Sequence, residues 1–540
     1  MCACVSEDMV VWKLPWTSAL GALLLVLAVL CQDPESADEE PSPTSQTVKC
    51  PLHCKCPSDS TVNCASAELT EFPSGLSDGI QMLSLENNMI REITVEHVSH
   101  LYLLETLNLQ NNGLSSDGKL EHPLERQHTE LTSAPKALPH SLVNADFSSN
   151  ELTRVYPYTF GYKPKLRSVY LHNNKLTDSG LPEHMFNTSN SLELLTMSSN
   201  LLKEVPRNLP SSLHRLHLKN NKLKRLPAGA FKNLSDLREL HLQDNQLNSQ
   251  DIEQGAFSDL SSLEYLDLSN NNLSVVPSGL PKTLLLLHLE RNCIQSIPAD
   301  SLNLLRNLEY LLIHNNKLRS RTIHPAAFQG LKKLHTLHMY NNLLERVPRG
   351  MPRRAKTLML LHNSISEIGR NDLALLHTLT ELNLSYNRLS SGRLHPEAFR
   401  KLRRLQTLDL SGNNLDTLPV GLPRSLQVLE VKNNHLRSIP AGALTGMDQL
   451  TRLVLSNNQL KLNSAYQGAW LDLFVQTLDL SENLLSHIPP DLPESLQFLH
   501  LQNNRISSVS ASAFDGTPNL QGLYLRSEHV TTVHFTPLSH

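Results

Sequence analysis

Leucine recurs along this chain in a cadence that suits neither an amphipathic helix nor a free-standing strand. From about residue 76 the pattern is L-x-x-L-x-L-x-x-N-x-L, clear in Leu237, Leu240, Leu242, Asn245 and Leu247 and again in Leu405, Leu408, Leu410, Asn413 and Leu415. The fourth and sixth positions lie two apart, so a short strand points both leucines to one face and the residue between them to the other. The asparagine falls where the chain leaves the strand, and its amide can bond the backbone of neighbouring turns. Each turn buries its leucines only against adjacent turns, so the pattern predicts a stack in which no single repeat folds alone.

Eighteen such asparagines run from Asn88 to Asn504. From Asn150 their spacings are 24, 26 and 21, and the triplet then repeats with one slip to 25. The 21-residue turns carry proline pairs outside the strand, as in Val205-Pro206 to Leu209-Pro210, Val276-Pro277 to Leu280-Pro281 and Leu418-Pro419 to Leu422-Pro423. Proline fixes an extended backbone without a donor, which suits thin polyproline-like or 3-10 segments on the outer side. Thin outer segments beside a continuous inner sheet curve the array. The fold class is therefore an α/β-type repeat solenoid with a parallel concave sheet, and some nineteen strands at about 4.8 Å each span on the order of 90 Å.

The pattern breaks twice. From Asn112 to Asn150 is 38 residues, where the triplet predicts 26 plus 21, or 47. An intact 21-residue turn would leave its predecessor nine short, with Arg126 in a leucine position and Thr129 in place of asparagine. Residues 115–140 are expected to form a defective turn or a bulged loop. Near the end, Leu520, Leu523 and Leu525 continue the strand but Glu528 stands where asparagine belongs, so 520–533 reads as a second degenerate turn.

Lysine and arginine total 48 against 52 acidic residues, a near-balance that gives no global field for nucleic acid or an anionic membrane. The apolar run Ala19–Leu30 has the length of a signal-peptide core, and Val29 and Cys31 suit cleavage before Gln32. Residues 1–31 are read as a signal peptide and the acidic, proline-bearing stretch 32–49 as a disordered linker. No later stretch is long and apolar enough to insert in a membrane, so an exported protein is expected. Cys50, Cys54, Cys56 and Cys64 crowd into residues 50–75, an N-terminal cap ahead of the array at 76–540. An even cluster in an exported chain reads as two disulfides; four thiolates could also hold zinc, although the one-residue gap between Cys54 and Cys56 is tight for one tetrahedron. Cys293 is left over from the count.

The cluster C-x3-C-x-C-x7-C followed by turns of 24, 26 and 21 residues resembles the small leucine-rich proteoglycans of the extracellular matrix. So do segments such as Arg167-Ser-Val-Tyr-Leu-His-Asn-Asn-Lys-Leu176 and Glu381-Leu-Asn-Leu-Ser-Tyr-Asn-Arg388. The resemblance runs from about Cys50 to Val530. It implies the solenoid fold, a cap bonded as Cys50–Cys56 and Cys54–Cys64, collagen (type I foremost) as partner, and a restraining influence on cell growth or migration. Growth factors and sulfated glycosaminoglycans are further expected partners, and a soluble ligand or decoy that ignores collagen is the alternative.

Four N-x-S/T sequons, at Asn187, Asn233, Asn272 and Asn383, are candidate glycosylation sites. Asn383 lies between Leu382 and Leu384 on the concave face, where a sugar would block part of a binding surface. Tyr265, Tyr310, Leu312 and Met359 are concave positions with no core role, and together they make a candidate partner-binding patch. His217, His241, His288 and His338 share the inter-leucine position; the first two are on consecutive turns and could chelate a metal or make binding pH-dependent, but solvated histidines are commoner and no metal or cofactor is expected. Basic residues gather at Arg346, Arg349, Arg353, Arg354 and Lys356 and at Arg400, Lys401, Arg403 and Arg404, where they could meet a sulfated polymer. No phosphate loop, nucleophile elbow or H-E-x-x-H occurs, and a non-enzymatic binding protein is expected.

Overall fold

A computed structural model describes residues 50–114, 137–440, 442–461, 470, 473–510, 512–526 and 532–533. The expected signal peptide, the acidic linker, most of 115–140 and Glu528 lie outside them. Twenty-one strands form one sheet, all but the first of them parallel. The first, Lys55–Ser58, makes an antiparallel hairpin with Thr61–Asn63, which then pairs with Met82–Ser84 and starts the parallel run. The sheet therefore begins inside the cysteine-rich cap, earlier than the residue 76 at which the leucine pattern becomes readable. Cys50 is bonded to Cys56 and Cys54 to Cys64, and Cys64 is buried at the head of the core.

Each parallel strand is three residues long, and the register is strict: Leu240 lies beside Leu216 and Leu266, and Leu311 beside Leu287 and Leu337. These leucines are fully buried. The asparagines close the turns. Asn316 Nδ2 donates to the carbonyls of Leu289 (2.9 Å), Ile313 (3.2 Å) and His314 (3.1 Å), while its Oδ1 accepts from the Ile294 amide (2.9 Å). One side chain thus satisfies backbone groups of its own turn and the preceding one, which is why the position tolerates burial of an amide. The residue before each of these asparagines adopts a left-handed backbone, from Asn87 (φ 57°) to Asn503 (φ 58°). Asparagine, aspartate, serine and glycine fill most of these positions, as that conformation favours.

The outer side follows the triplet. The 3-10 turns Asp178–Gly180, Ser320–Thr322 and Ser391–Arg393 all fall in 26-residue turns. Ser320 Oγ accepts from the amides of Glu345 and Arg346 and donates to the Arg346 carbonyl, tying the next, proline-bearing turn to this one. Ser249 and Ser391 make the same three contacts to their own following turns. Among the described residues the outer helices are single turns, Val95–Val98 and Pro157–Phe160. Phe186, Phe257, Phe328 and Phe399 recur at the triplet period as buried wedges beneath the outer segments.

The 38 residues between Asn112 and Asn150 close one turn of the ladder. Thr106–Asn108 pairs directly with Asn144–Asp146, and Asn150 Nδ2 donates to the Leu109 carbonyl (2.9 Å) just as its counterparts do one turn back. Two complete turns would need a strand between these two. At the other end Gly522–Tyr524 continues the sheet beside Phe498–His500.

Candidate functional site

The solvent-facing side of the sheet is built from three rows, because side chains alternate along each strand and its exit. In the strand Glu239–His241 these are Glu239, His241 and then Gln243, with Leu240 and Leu242 turned inward. Parallel register carries each row from turn to turn. His217 sits beside His241, His241 beside Asp267, His288 beside Leu312, and Leu312 beside His338.

Between His217 and Met359 these rows make a continuous strip of rings and aliphatic groups. The His217 and His241 rings lie 4.4 Å apart, His241 and Tyr265 4.8 Å, and Tyr265 and His288 5.3 Å. Two turns on, His314 stacks on Tyr340 at 4.1 Å, with His338 6.2 Å from His314. Tyr265, Leu312 and Met359 are half-buried, and Tyr310 is 43% exposed, the most accessible of the four patch residues anticipated. Tyr310 and Leu312 share one strand and stand on the same face two residues apart. Tyr265 is held between two histidine rings and is less free to act as an anchor.

Glu239, Asp267 and Glu290 bring carboxylates into this strip. Glu290 accepts from His288 Nδ1 (3.0 Å). Burial alone would lower the pKa of His288, but the bond and charge of Glu290 outweigh it and raise it above the usual histidine value. Burial likewise works to raise Glu290, and the His288 contact reverses that to a net lowering. His314, buried beside them without a carboxylate of its own, is pushed down to about 4, and burial also lowers His338. The strip thus joins a His–Glu pair, in which each partner favours the charged form of the other, to imidazoles that burial holds toward the neutral form. Sequence reasoning had singled out the inter-leucine row and missed His314, Tyr340 and the two glutamates. Continuing the two-residue alternation past the second leucine would have found the third row.

Of the sequons, Asn187, Asn233 and Asn272 are exposed. Asn383 is not: its Oδ1 accepts from the Ser385 amide (2.9 Å) and hydroxyl (2.6 Å), and its Nδ2 donates to Asp409 (3.2 Å). The basic residues 346–356 and 400–404 are exposed and lie mainly outside the strands. Arg346 is paired with Glu367 (2.9 Å) and Arg400 with Glu397 (2.7 Å), which blunts their field. Among the described residues no helix is long and apolar enough to cross a membrane.

The family model for leucine-rich repeats matches residues 211–273, 248–282, 353–415, 424–471 and 494–540. Podocan of Mus musculus is 55% identical over 500 residues, which is 91% of this chain and 82% of podocan. Podocan-like protein 1 of Mus musculus is 44% identical, covering 90% of this chain and 89% of the relative, and keratocan of Bos taurus 33% over 40% and 61%. Among solved structures, a leucine-rich-repeat protein of Leptospira interrogans aligns with a TM-score of 0.53 at 26% identity, over 72% of this chain and 93% of that one. YopM of Yersinia enterocolitica aligns at 0.58 and 24% identity, over 88% and 91%, a likeness of fold alone.

Proposed function

The chain belongs to the podocan and podocan-like family of small leucine-rich-repeat proteoglycans, and from that premise we propose that it is a secreted extracellular-matrix protein that binds collagen through its concave face and restrains cell growth or migration. Residues 1–31 are removed on export, and 32–49 are the acidic linker of the exported chain. The observation that carries the reading is the strip from Tyr265 to Met359, with Tyr310 and Leu312 side by side at its most open point. Collagen chains are polyproline-type helices whose pyrrolidine rings and backbone are on the outside, and such helices dock on aromatic-lined grooves. Glycans on Asn187, Asn233 and Asn272 leave this strip open. Asn383 stays bare, because it is half-buried on the concave strand between Leu382 and Leu384, where a sugar would crowd Asp409.

Binding of the full chain to reconstituted type I collagen fibrils tests the reading. Wild-type protein is expected to saturate the fibrils. Charged substitutions Tyr310→Asp and Leu312→Asp together should weaken binding about 30-fold, the size of a 2 kcal/mol hot spot. Undiminished binding by that variant places the collagen surface elsewhere. A wild-type chain that ignores fibrils but captures a growth factor or receptor ectodomain identifies the soluble-ligand alternative.

A further inference from the structure

Among the described residues, the one group of ligating side chains close enough to share an ion lies at the N-terminal end of the strip. Glu239 and His241 stand on one strand and His217 on its neighbour, opposite His241 in register. The Nε2–H of His241 donates to Glu239 Oε1 at 2.6 Å, and His217 Nε2 lies 3.6 Å from the same oxygen. The three ligating atoms all fall within 4.8 Å of one another. Both imidazoles therefore turn Nε2 inward on one carboxylate.

The surroundings fix that orientation. Thr196 Oγ1 lies 3.1 Å from His217 Nδ1, and Gln243 Nε2 lies 3.2 Å from His241 Nδ1, so each ring is held from behind by a polar partner. Such outer contacts set the tautomer and aim of ligating histidines. The Tyr265 ring closes one side, 4.8 Å from His241. Two buried polar atoms here lack a hydrogen-bond partner: His217 Nε2 and Gln243 Oε1. A buried unpartnered nitrogen is unfavourable unless something else satisfies it. One change serves both. Turning the Gln243 amide over places Oε1 against His241 Nδ1–H, which leaves the Nε2 lone pairs of both rings and the Glu239 oxygen directed at a common point.

We propose that His217, Glu239 and His241 form a binding site for a zinc-class divalent cation, with a fourth coordination position open to the concave face. Two imidazoles and one carboxylate select zinc and its first-row neighbours over calcium or magnesium, which prefer all-oxygen cages. Binding displaces the Nε2 proton of His241 to Nδ1, where Gln243 accepts it in a hydrogen bond. Three protein ligands leave room for water or for a donor group from a bound partner. The metal would bridge consecutive strands and stiffen this part of the strip.

The test is metal titration of the full chain after chelator treatment, with Zn2+ followed by calorimetry against a competing chelator and Co2+ by visible absorption. One equivalent is expected to bind above the background of exposed histidines, with the intense visible bands of four-coordinate cobalt. Glu239→Gln and His241→Asn should each abolish that equivalent, and Gln243→Ala should weaken it about 10-fold. His338→Asn, in the same row several turns away, should leave it unchanged. Glu239→Gln preserves side-chain shape, and an unaltered circular-dichroism melt in the absence of metal separates loss of a ligand from loss of fold. Absence of the strong equivalent in wild type, its survival in both Glu239→Gln and His241→Asn, or a six-coordinate cobalt spectrum would overturn the proposal.

Discussion

Replacing Asn316 by alanine isolates what one rung of the asparagine ladder contributes. The substitution deletes two N–H donors, shared among the carbonyls of Leu289, Ile313 and His314, and the acceptor of the Ile294 amide. Asn316 is only 7% exposed, so water reaches these groups poorly. A net contribution of about 1 kcal/mol for each of the two N–H groups and for the accepted bond gives about 3 kcal/mol. The Ile294 amide loses the Asn316 acceptor and should report first. The loss is local, because a solenoid's stability is a sum of turn and neighbour-interface terms. Urea unfolding should show a midpoint lowered by about 3 kcal/mol over the slope, and amide exchange should accelerate at Ile294 and in the turns at 289–316 while the turns near 200 keep their protection. A stability loss below about 1 kcal/mol, or exchange raised evenly along the chain, would show that the ladder does not carry the turns.

Breaking the cap with Cys54→Ser and Cys64→Ser should cost about 2–5 kcal/mol and direct limited proteolysis to the first turns; an unchanged digestion pattern counts against the cap's role. His314 has a folded pKa of about 4 against about 6.5 for a free histidine, so the unfolded chain takes up the proton first and stability should fall as pH drops from 6.5 toward 4. His314→Asn should flatten that part of a pH–stability curve, and a curve of unchanged steepness would refute the assignment. His288 acts in the opposite sense: its raised pKa adds stability at low pH that is lost as pH rises through the folded value, and Glu290→Gln should remove this. Gly412→Ala forces a Cβ to 2.5 Å from the Tyr386 ring at a left-handed φ of 63°, and should destabilise by about 1–2 kcal/mol in thermal melts. Peptide mapping of secreted protein should find glycan on Asn187, Asn233 and Asn272 and none on Asn383; a fully occupied Asn383 would show that the concave face accepts a sugar there.

The leucine spacing by itself determined the strand positions, the inward and outward faces, the asparagine ladder and the parallel order of the turns. In a solenoid each turn touches only its neighbours, so short-range spacing is nearly the whole of the tertiary problem. Tyr310, Leu312 and Met359 could be placed on the open face for the same reason. Other features needed the folded chain. Whether 38 residues closed one turn or two depended on which strands paired, and the register of Leu107 beside Ala145 decided it. That Glu239 would meet His217 as well as His241, or that Asn383 would be tied to Asp409, follows from lateral contacts between residues 22 and 26 positions apart. Leucine periodicity sets the register of backbones but says nothing of where long polar side chains turn once they lie side by side. Burial, hydrogen-bond partners and charge at close range fix those directions, and these exist only when the turns are stacked.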